Sequence, residues 1–161
     1  MSDRTVVTLR PATRDDAADL LAWRNDPITR GNSRNTAEVT PAEHAAWLDR
    51  VLADPNRRLW VGMVHRVPVG TSSATRGVDG AVEIAVTVAP DARGRGLAAK
   101  LVSGAVEQAR SVWRAARIRA EIKPDNVPSR RAFERCGFVL IADAGDLLDY
   151  ELGVEPGDVA S

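Results

Sequence analysis

Val86-Thr87-Val88-Ala89-Pro90-Asp91-Ala92-Arg93-Gly94-Arg95-Gly96-Leu97-Ala98 decides the reading of this 161-residue chain. A strand, Ala81 to Val88, runs into it and breaks at Pro90-Asp91-Ala92. A helix opens from about Gly94, with Leu97, Leu101, Val102, Ala105, Val106 and Ala109 recurring at helical spacing on its inward face. The first amides of a helix have no carbonyl partner, and the macrodipole adds positive potential, so such a turn attracts an anion. Gly94 and Gly96 let the backbone approach a ligand with no Cβ in the way. Arg93 and Arg95 bring guanidinium donors suited to phosphate oxygens. The chemistry this predicts is a pyrophosphate seated on main-chain N–H groups.

Other glycine loops fit less well. A P-loop is excluded, because no Lys-Ser/Thr pair follows the second glycine. Gly94-x-Gly96-x-x-Ala99 has the dinucleotide spacing, and Glu121 ends the next strand. However, Ala89 to Ala92 separates strand from glycines, and the preceding strands read as hairpins instead of parallel β-α-β units. The bland alternative is a glycine-rich turn with two solvated arginines.

Charge supports an anionic ligand. Lys+Arg and Asp+Glu are 22 each, so the net charge is zero. Between residues 93 and 135, 11 basic side chains face 4 acidic ones, whereas residues 136–161 hold 6 acids and no Lys or Arg. Arg110, Arg114 and Arg117 within the basic block are read as a solvated helix face. A balanced total with 27% charged and 44% hydrophobic residues is that of a soluble globular chain and argues against nucleic-acid binding by bulk charge. One cysteine, Cys136, precludes an internal disulfide and reads as packing. His44 and His65 leave no compact metal-ligand spacing, so no metal is expected. Charges at Asp3, Arg4 and Arg10 do not fit a signal peptide, and no apolar run is long enough to span a bilayer. The expectation is a cytoplasmic protein with no membrane partner.

Outward from the glycine loop, the chain reads as one domain over residues 1–152 and a frayed tail over 153–161. Val6 to Leu9 is a first strand, followed by a helix capped by Thr13 that fails near Asn25-Asp26-Pro27. Ile28 to Val39 reads as a loop. Thr40-Pro41-Ala42-Glu43 starts a second helix with a capping box, and it stops at Asp54-Pro55-Asn56. Leu59–His65 and Val69–Thr75 are strands around a turn at Arg66-Val67-Pro68, and Gly77-Val78-Asp79-Gly80 turns into the strand of the key segment. Ile118–Ile122 is the next strand. Asn126 to Cys136 is a short helix stopped by Gly137, and Phe138–Ile141 and Leu147–Leu152 are the last two strands. The order βααβββαβαββ, early hairpins followed by one β-α-β crossover, predicts a mixed α/β sheet of about seven strands and about four helices.

The key segment resembles the acetyl-CoA signature of the GNAT N-acetyltransferases, Arg/Gln-x-x-Gly-x-Gly/Ala. Asn126-Val127-Pro128-Ser129-Arg130-Arg131-Ala132-Phe133-Glu134-Arg135-Cys136-Gly137-Phe138 is similar to their second signature, at the matching distance. Strand order and length fit along nearly the whole chain. The front half, Trp23-Arg24-Asn25-Asp26-Pro27, Thr29-Arg30, Ser33 and Val39-Thr40-x-x-Glu43-His44-x-x-Trp47-Leu48, is more loosely similar to enzymes that acetylate a nucleotide-linked amino sugar of the pseudaminic-acid type.

That resemblance implies a splayed, mostly antiparallel sheet and transfer of acetyl from acetyl-CoA to the primary amine of a small molecule. The pyrophosphate would rest on the amides of Gly94, Arg95, Gly96, Leu97, Ala98 and Ala99. The pantetheine would pair as an extra strand with the edge at Val86 and Val88, where a main-chain N–H would hold the oxyanion. Asn126 and Ser129 would touch the pantetheine arm, and Arg131 would reach the phosphates; Arg130 and Arg135 are read as solvated. The attacking amine must lose a proton to a base. Glu83 stands where such enzymes often keep a glutamate, the alternative being an exposed strand carboxylate. His44 lies on the apolar stripe of its helix, either as a packed histidine or as the proton acceptor. Trp23, Arg24 and Asn25 would border the acceptor, Arg24 as partner of a substrate phosphate or as a surface arginine. Trp23 and Trp47 read primarily as core.

One departure stands out. Phe133 occupies the position of the tyrosine that reprotonates the departing thiolate, which leaves Ser129 or water as general acid. Tyr150, the only tyrosine, lies in the last strand. Acetylation of an amino acid, antibiotic or peptide N-terminus, and a CoA-binding module without turnover, are the competing readings; homodimerisation is left open.

Overall fold

The computed structural model describes residues 5–153, so residues 154–161 of the expected tail lie outside it. Seven strands form one sheet in the order β1-β2-β3-β4-β5-β7-β6. They are β1 (Thr8–Pro11), β2 (Arg57–Val64), β3 (Val67–Arg76), β4 (Val82–Val88), β5 (Ile118–Ile122), β6 (Phe138–Asp143) and β7 (Leu148–Leu152). Every pairing is antiparallel except β4 with β5. The helices are α1 (Ala17–Asn25), α2 (Pro27–Asn32), α3 (Pro41–Ala53), α4 (Leu97–Trp113) and α5 (Val127–Arg135). The mixed sheet expected from the order of elements is therefore present, with one more helix.

That extra helix, α2, corrects the loop expected over Ile28–Val39 at its beginning. The Asp26 carboxylate accepts from the amides of Ile28 and Thr29, and Pro27 occupies the first turn. Asp-Pro ends one helix and begins another, because proline is as well suited to a first turn as it is unsuited to an interior. The Arg66-Val67-Pro68 turn is also corrected. The chain reverses at His65-Arg66, both at positive φ, and Val67 already belongs to β3.

Alternation along β2 defines the two faces of the sheet. Leu59 and Val61 pack under α1 and α3 with Leu20, Leu48 and Val51, while Trp60 joins the larger core beneath α4 and α5. All six predicted inward residues of α4 are buried. The Gly62–Gly70 pair lets α4 come close: a Cβ on Gly62 would sit 2.4 Å from Leu101 Cδ2, and one on Gly70 would sit 2.3 Å from Thr87 O. Arg117 follows α4 and ion-pairs with Glu151 at 2.9 Å, which corrects its place on a solvated helix face.

The sheet opens at one point. β4 pairs with β3 along its whole length, from Val82↔Arg76 to Val88↔Gly70, but with β5 only at Val82↔Ile118 and Glu83↔Arg119. Beyond Glu83 the two parallel strands part, and β5 continues beside β7. Ala89 N–H donates to Val69 O and Val82 N–H to Arg117 O. Strand alternation between these two bonds turns the N–H and C=O of Val86 and Val88 away from β3, toward the side that β5 has left.

Candidate active site

Gly94 (φ +76°) and Gly96 (φ +72°) hold the backbone in the left-handed region between β4 and α4. A Cβ on either would meet nothing within 4 Å, so the demand for glycine visible here is conformational and not one of space. Among the described residues, no turn or loop hydrogen bond uses an amide from Gly94 to Ala99. The head of α4 thus presents consecutive donors without carbonyl partners. These amides, the open edge of β4 and the first turns of α5 enclose a groove of about 970 Å³.

Val86, Val88, Gly94, Gly96, Ala98 and Ala99 all line that groove, as do Asn126, Ser129 and Arg131 on its far wall. Leu97 contributes backbone, its side chain being buried beneath the loop. The Asn126 carbonyl oxygen caps α5 by accepting from Ser129 N–H at 3.3 Å. Arg131 is exposed and makes no ion pair among the described residues. Arg95 is exposed but stands off the walls. The Arg93 guanidinium is committed to the Asp26 carboxylate and, at 3.2 Å, to Thr29 Oγ1. The arginine holds that carboxyl below its ordinary range. Arg93 therefore fastens the glycine loop to α2 through Nη2 while it also lines the groove.

A second cavity, of about 490 Å³, lies on the opposite side of β4 between α1, α2, α3 and the β2–β3 hairpin. The two share Thr29, Ser33 and Thr87 as lining residues, so they meet where α2 crosses the end of β4. Trp23 and Trp47 pack into the smaller core with one part and line this cavity with another. His44 is 4% exposed, tilted against Trp47 at 5.3 Å between ring centroids, and lines the same cavity. Burial pushes its pKa below the usual histidine value, and the neighbouring Arg24 charge adds to this. A neutral imidazole at physiological pH is the result.

Asn25 and Glu83 do not line either cavity. The Asn25 amide grips the backbone of Val39, giving 2.8 Å to its carbonyl and taking 2.8 Å from its N–H. It closes the loop whose Asn35 and Val39 line the second cavity and does not itself line it. Glu83 sits at the fork of β4 and β5, where Arg34 reaches both Glu83 (3.0 Å) and Glu121 (2.8 Å). Burial chiefly, and Glu121 next, raise the Glu83 pKa, with Arg34 opposing. It projects from the same face of β4 as Thr87 and stands as a half-buried post in the cluster that spans the fork.

The tyrosine question also resolves into geometry. Phe133 is buried edge-on to Phe138 at 5.0 Å. Tyr150 is fully buried, its hydroxyl donating to Glu134 Oε2 at 2.9 Å and accepting from Arg130 Nε at 3.1 Å. Arg130 also holds Pro124 O, so it anchors α5 to β7 and is not the solvated side chain expected. Arg135 is exposed on the groove wall. Burial raises the Cys136 thiol pKa, and its Sγ donates to Ala99 O at 3.3 Å, consistent with packing. Thr87 escaped the sequence reading although strand alternation already set it opposite Val86 and Val88. Arg57, on the wall of the second cavity, carries no local signal.

The fold thus sets an open strand edge beside the first amides of α4, in a groove that meets a second cavity. The family model for the GNAT acetyltransferase domain matches residues 7–139, and the chain belongs to that family. That family is one of acetyltransferases. Spermidine N-acetyltransferase from Vibrio cholerae, solved with CoA and spermine, superposes with a TM-score of 0.82 at 17% identity, over 91% of this chain and 94% of that one. YncA of Salmonella typhimurium, a putative acetyltransferase solved with acetyl-CoA, gives 0.75 at 24% identity over 94% and 95%. A domain from Methanocaldococcus jannaschii gives 0.80 at 20% identity over 93% and 99%. At these identities the structures speak for the fold alone. No curated protein matches the sequence. Among the described residues, no group of His, Cys, Asp and Glu could hold a metal, and no helix is long and apolar enough to cross a membrane.

Proposed function

We propose that the protein acetylates the primary amine of a small molecule by direct attack on the acetyl-CoA thioester, at the junction of the two cavities. Acetyl-CoA supplies the activated acetyl group. The amides from Gly94 to Ala99 and the Arg131 guanidinium hold its phosphates, and the Val86 and Val88 backbone takes the pantetheine as an added strand. The N–H of Val88 steadies the oxyanion as the amine nitrogen bonds to the carbonyl carbon and the C–S bond breaks. His44 takes the amine proton, directly or through water; it is neutral and lines this cavity, whereas the Glu83 carboxylate on the same face of β4 is paired with Arg34. The Ser129 hydroxyl, on the groove wall, or water returns a proton to the CoA thiolate.

The acceptor we favour is a nucleotide-linked amino sugar. The front-half resemblance supports this, as do the ring surfaces of Trp23 and Trp47 on the cavity wall, which suit a sugar or base. Amino acids, antibiotics and peptide N-termini are the competing acceptors. The observation that carries the whole reading is the strand edge left open beside partnerless amides. Release of free thiol from acetyl-CoA on adding candidate amines tests it. Amine-dependent release with an equimolar N-acetyl product is the expected result; CoA binding without release from any primary amine would overturn it.

A further inference from the structure

The acceptor cavity is cationic. Arg24, Arg50, Arg57 and Arg58 line it, against the single carboxylate of Glu43. Arg58 spends its charge elsewhere, over the Trp113 ring at 5.3 Å and on the Pro55 and Arg57 carbonyls. The other three have no ion-pair partner among the described residues. Glu43 Oε1 is taken up in the cap of α3, accepting from Thr40 N–H at 3.3 Å. His44, the remaining titratable group on the wall, is held neutral and adds no negative charge.

Arg24 is the most exacting of the three. It leaves the last turn of α1, and its Nη2 donates to Asn35 O at 2.7 Å, which fixes the guanidinium plane. Its Nη1 is buried with no acceptor, the one such side-chain atom among the described residues. Nitrogen donors of a charged group are rarely left this way unless something else completes them. A small turn of this side chain brings Nη1 to the cavity that Arg24 lines, where the acceptor it lacks would be an oxygen, and a guanidinium prefers an anionic oxygen pair.

We infer that the acceptor substrate is an amine that also carries an anionic oxygen group, phosphate or carboxylate, and that Arg24 with Arg57 selects it. This rests on the acetyltransferase reading and narrows its substrate class. Polycationic amines, of the kind bound by the Vibrio cholerae neighbour, are rejected because three uncompensated guanidinium groups repel them. The amine that reacts must still arrive deprotonated, which the same positive field favours by lowering amine pKa values.

Calorimetric titration of the CoA-saturated protein tests this with four probes: glucosamine 1-phosphate, γ-aminobutyrate, glucosamine and spermidine. The expected result is binding of at least one anionic probe about tenfold tighter than glucosamine, a difference of ~1.4 kcal/mol, with no heat from spermidine. Preference between the first two tells phosphate from carboxylate. In Arg24→Gln the preference over glucosamine should collapse, while the Kd of CoA, which reports an intact fold, stays unchanged. Arg57→Gln should reduce it in part. Tighter binding of spermidine, an undiminished preference in Arg24→Gln, or failure of both anionic probes at millimolar concentration would each overturn the inference. Turnover separates the two claims: thiol release with spermidine keeps the acetyltransferase and removes charge selection, whereas anion-selective binding with no release from any amine does the reverse.

Discussion

Gly96, at the head of α4, and His44, inside α3, show how single residues bear on the reaction. An L-residue pays about 1–2 kcal/mol in the left-handed region that Gly96 occupies. Since a Cβ there meets nothing, Gly96→Ala should cost about 1 kcal/mol of stability in chemical denaturation. The same backbone shift misaims the amides and should raise the Kd of CoA about tenfold. His44→Gln keeps a polar group of similar bulk but cannot take a proton; kcat should fall by about 10²–10⁴-fold with little change in the KM of acetyl-CoA. The sign of the pH effect follows from burial. The folded His44 pKa lies below the 6.5 of the unfolded chain, so protons bind the unfolded state more readily. Its contribution to stability is complete above about pH 6.5 and is lost as pH falls from there toward the folded value. Denaturation midpoints of the wild type should drop between pH 7.5 and 5.5 (about one unit either side of that value), and those of His44→Gln should drop less. Asp16, held low by Arg10, adds a separate loss that sets in as pH falls toward 3.8 and is complete only below its folded value.

Among the elements, the fork between β4 and β5 matters most, and two features keep it open. β5 finds its ladder with β7, and Arg34 bridges Glu83 and Glu121 where the parallel pairing stops. Removing that cation leaves the two carboxylates with only Arg119, 3.8 Å from Glu121, so Arg34→Ala should destabilise more at pH 8 than at pH 5, as judged by thermal midpoints. Gly70→Ala drives a Cβ toward Thr87 O, and overpacking there should cost about 1–3 kcal/mol and depress kcat through the displaced end of β4. Apolar spacing in the chain revealed α3 and α4, which bury a regular stripe against the sheet, and apolar runs revealed all seven strands, although β6 buries only Phe138. It concealed α2, whose start signal, Asp26-Pro27, is equally a stop signal. The fork cluster was illegible for a different reason: Arg34, Glu83 and Glu121 lie far apart in sequence, and only the tertiary register brings them together. Arg57 and Asn25 were obscured in the same way, one turned into the acceptor cavity and the other into the loop that covers it.

For the whole molecule, zero net charge conceals a division of labour. The basic stretch 93–135 builds the groove through α4 and α5, with Arg131 and Arg135 exposed on its wall. Unpaired arginines on α1, α3 and β2 line the other cavity. Because exposed charges are screened beyond about 10 Å at 0.1 M salt, the KM of acetyl-CoA should rise with sodium chloride while kcat holds. Both cavities converge on Thr87, so the account depends on the donor entering from the β5 side of β4. Amide chemical-shift mapping during titration with CoA tests this most directly. The account predicts the largest perturbations at Gly94 to Ala99 and at Val86 and Val88, with the latter amides gaining protection from hydrogen exchange. Saturable CoA binding that leaves both sets unmoved would contradict it.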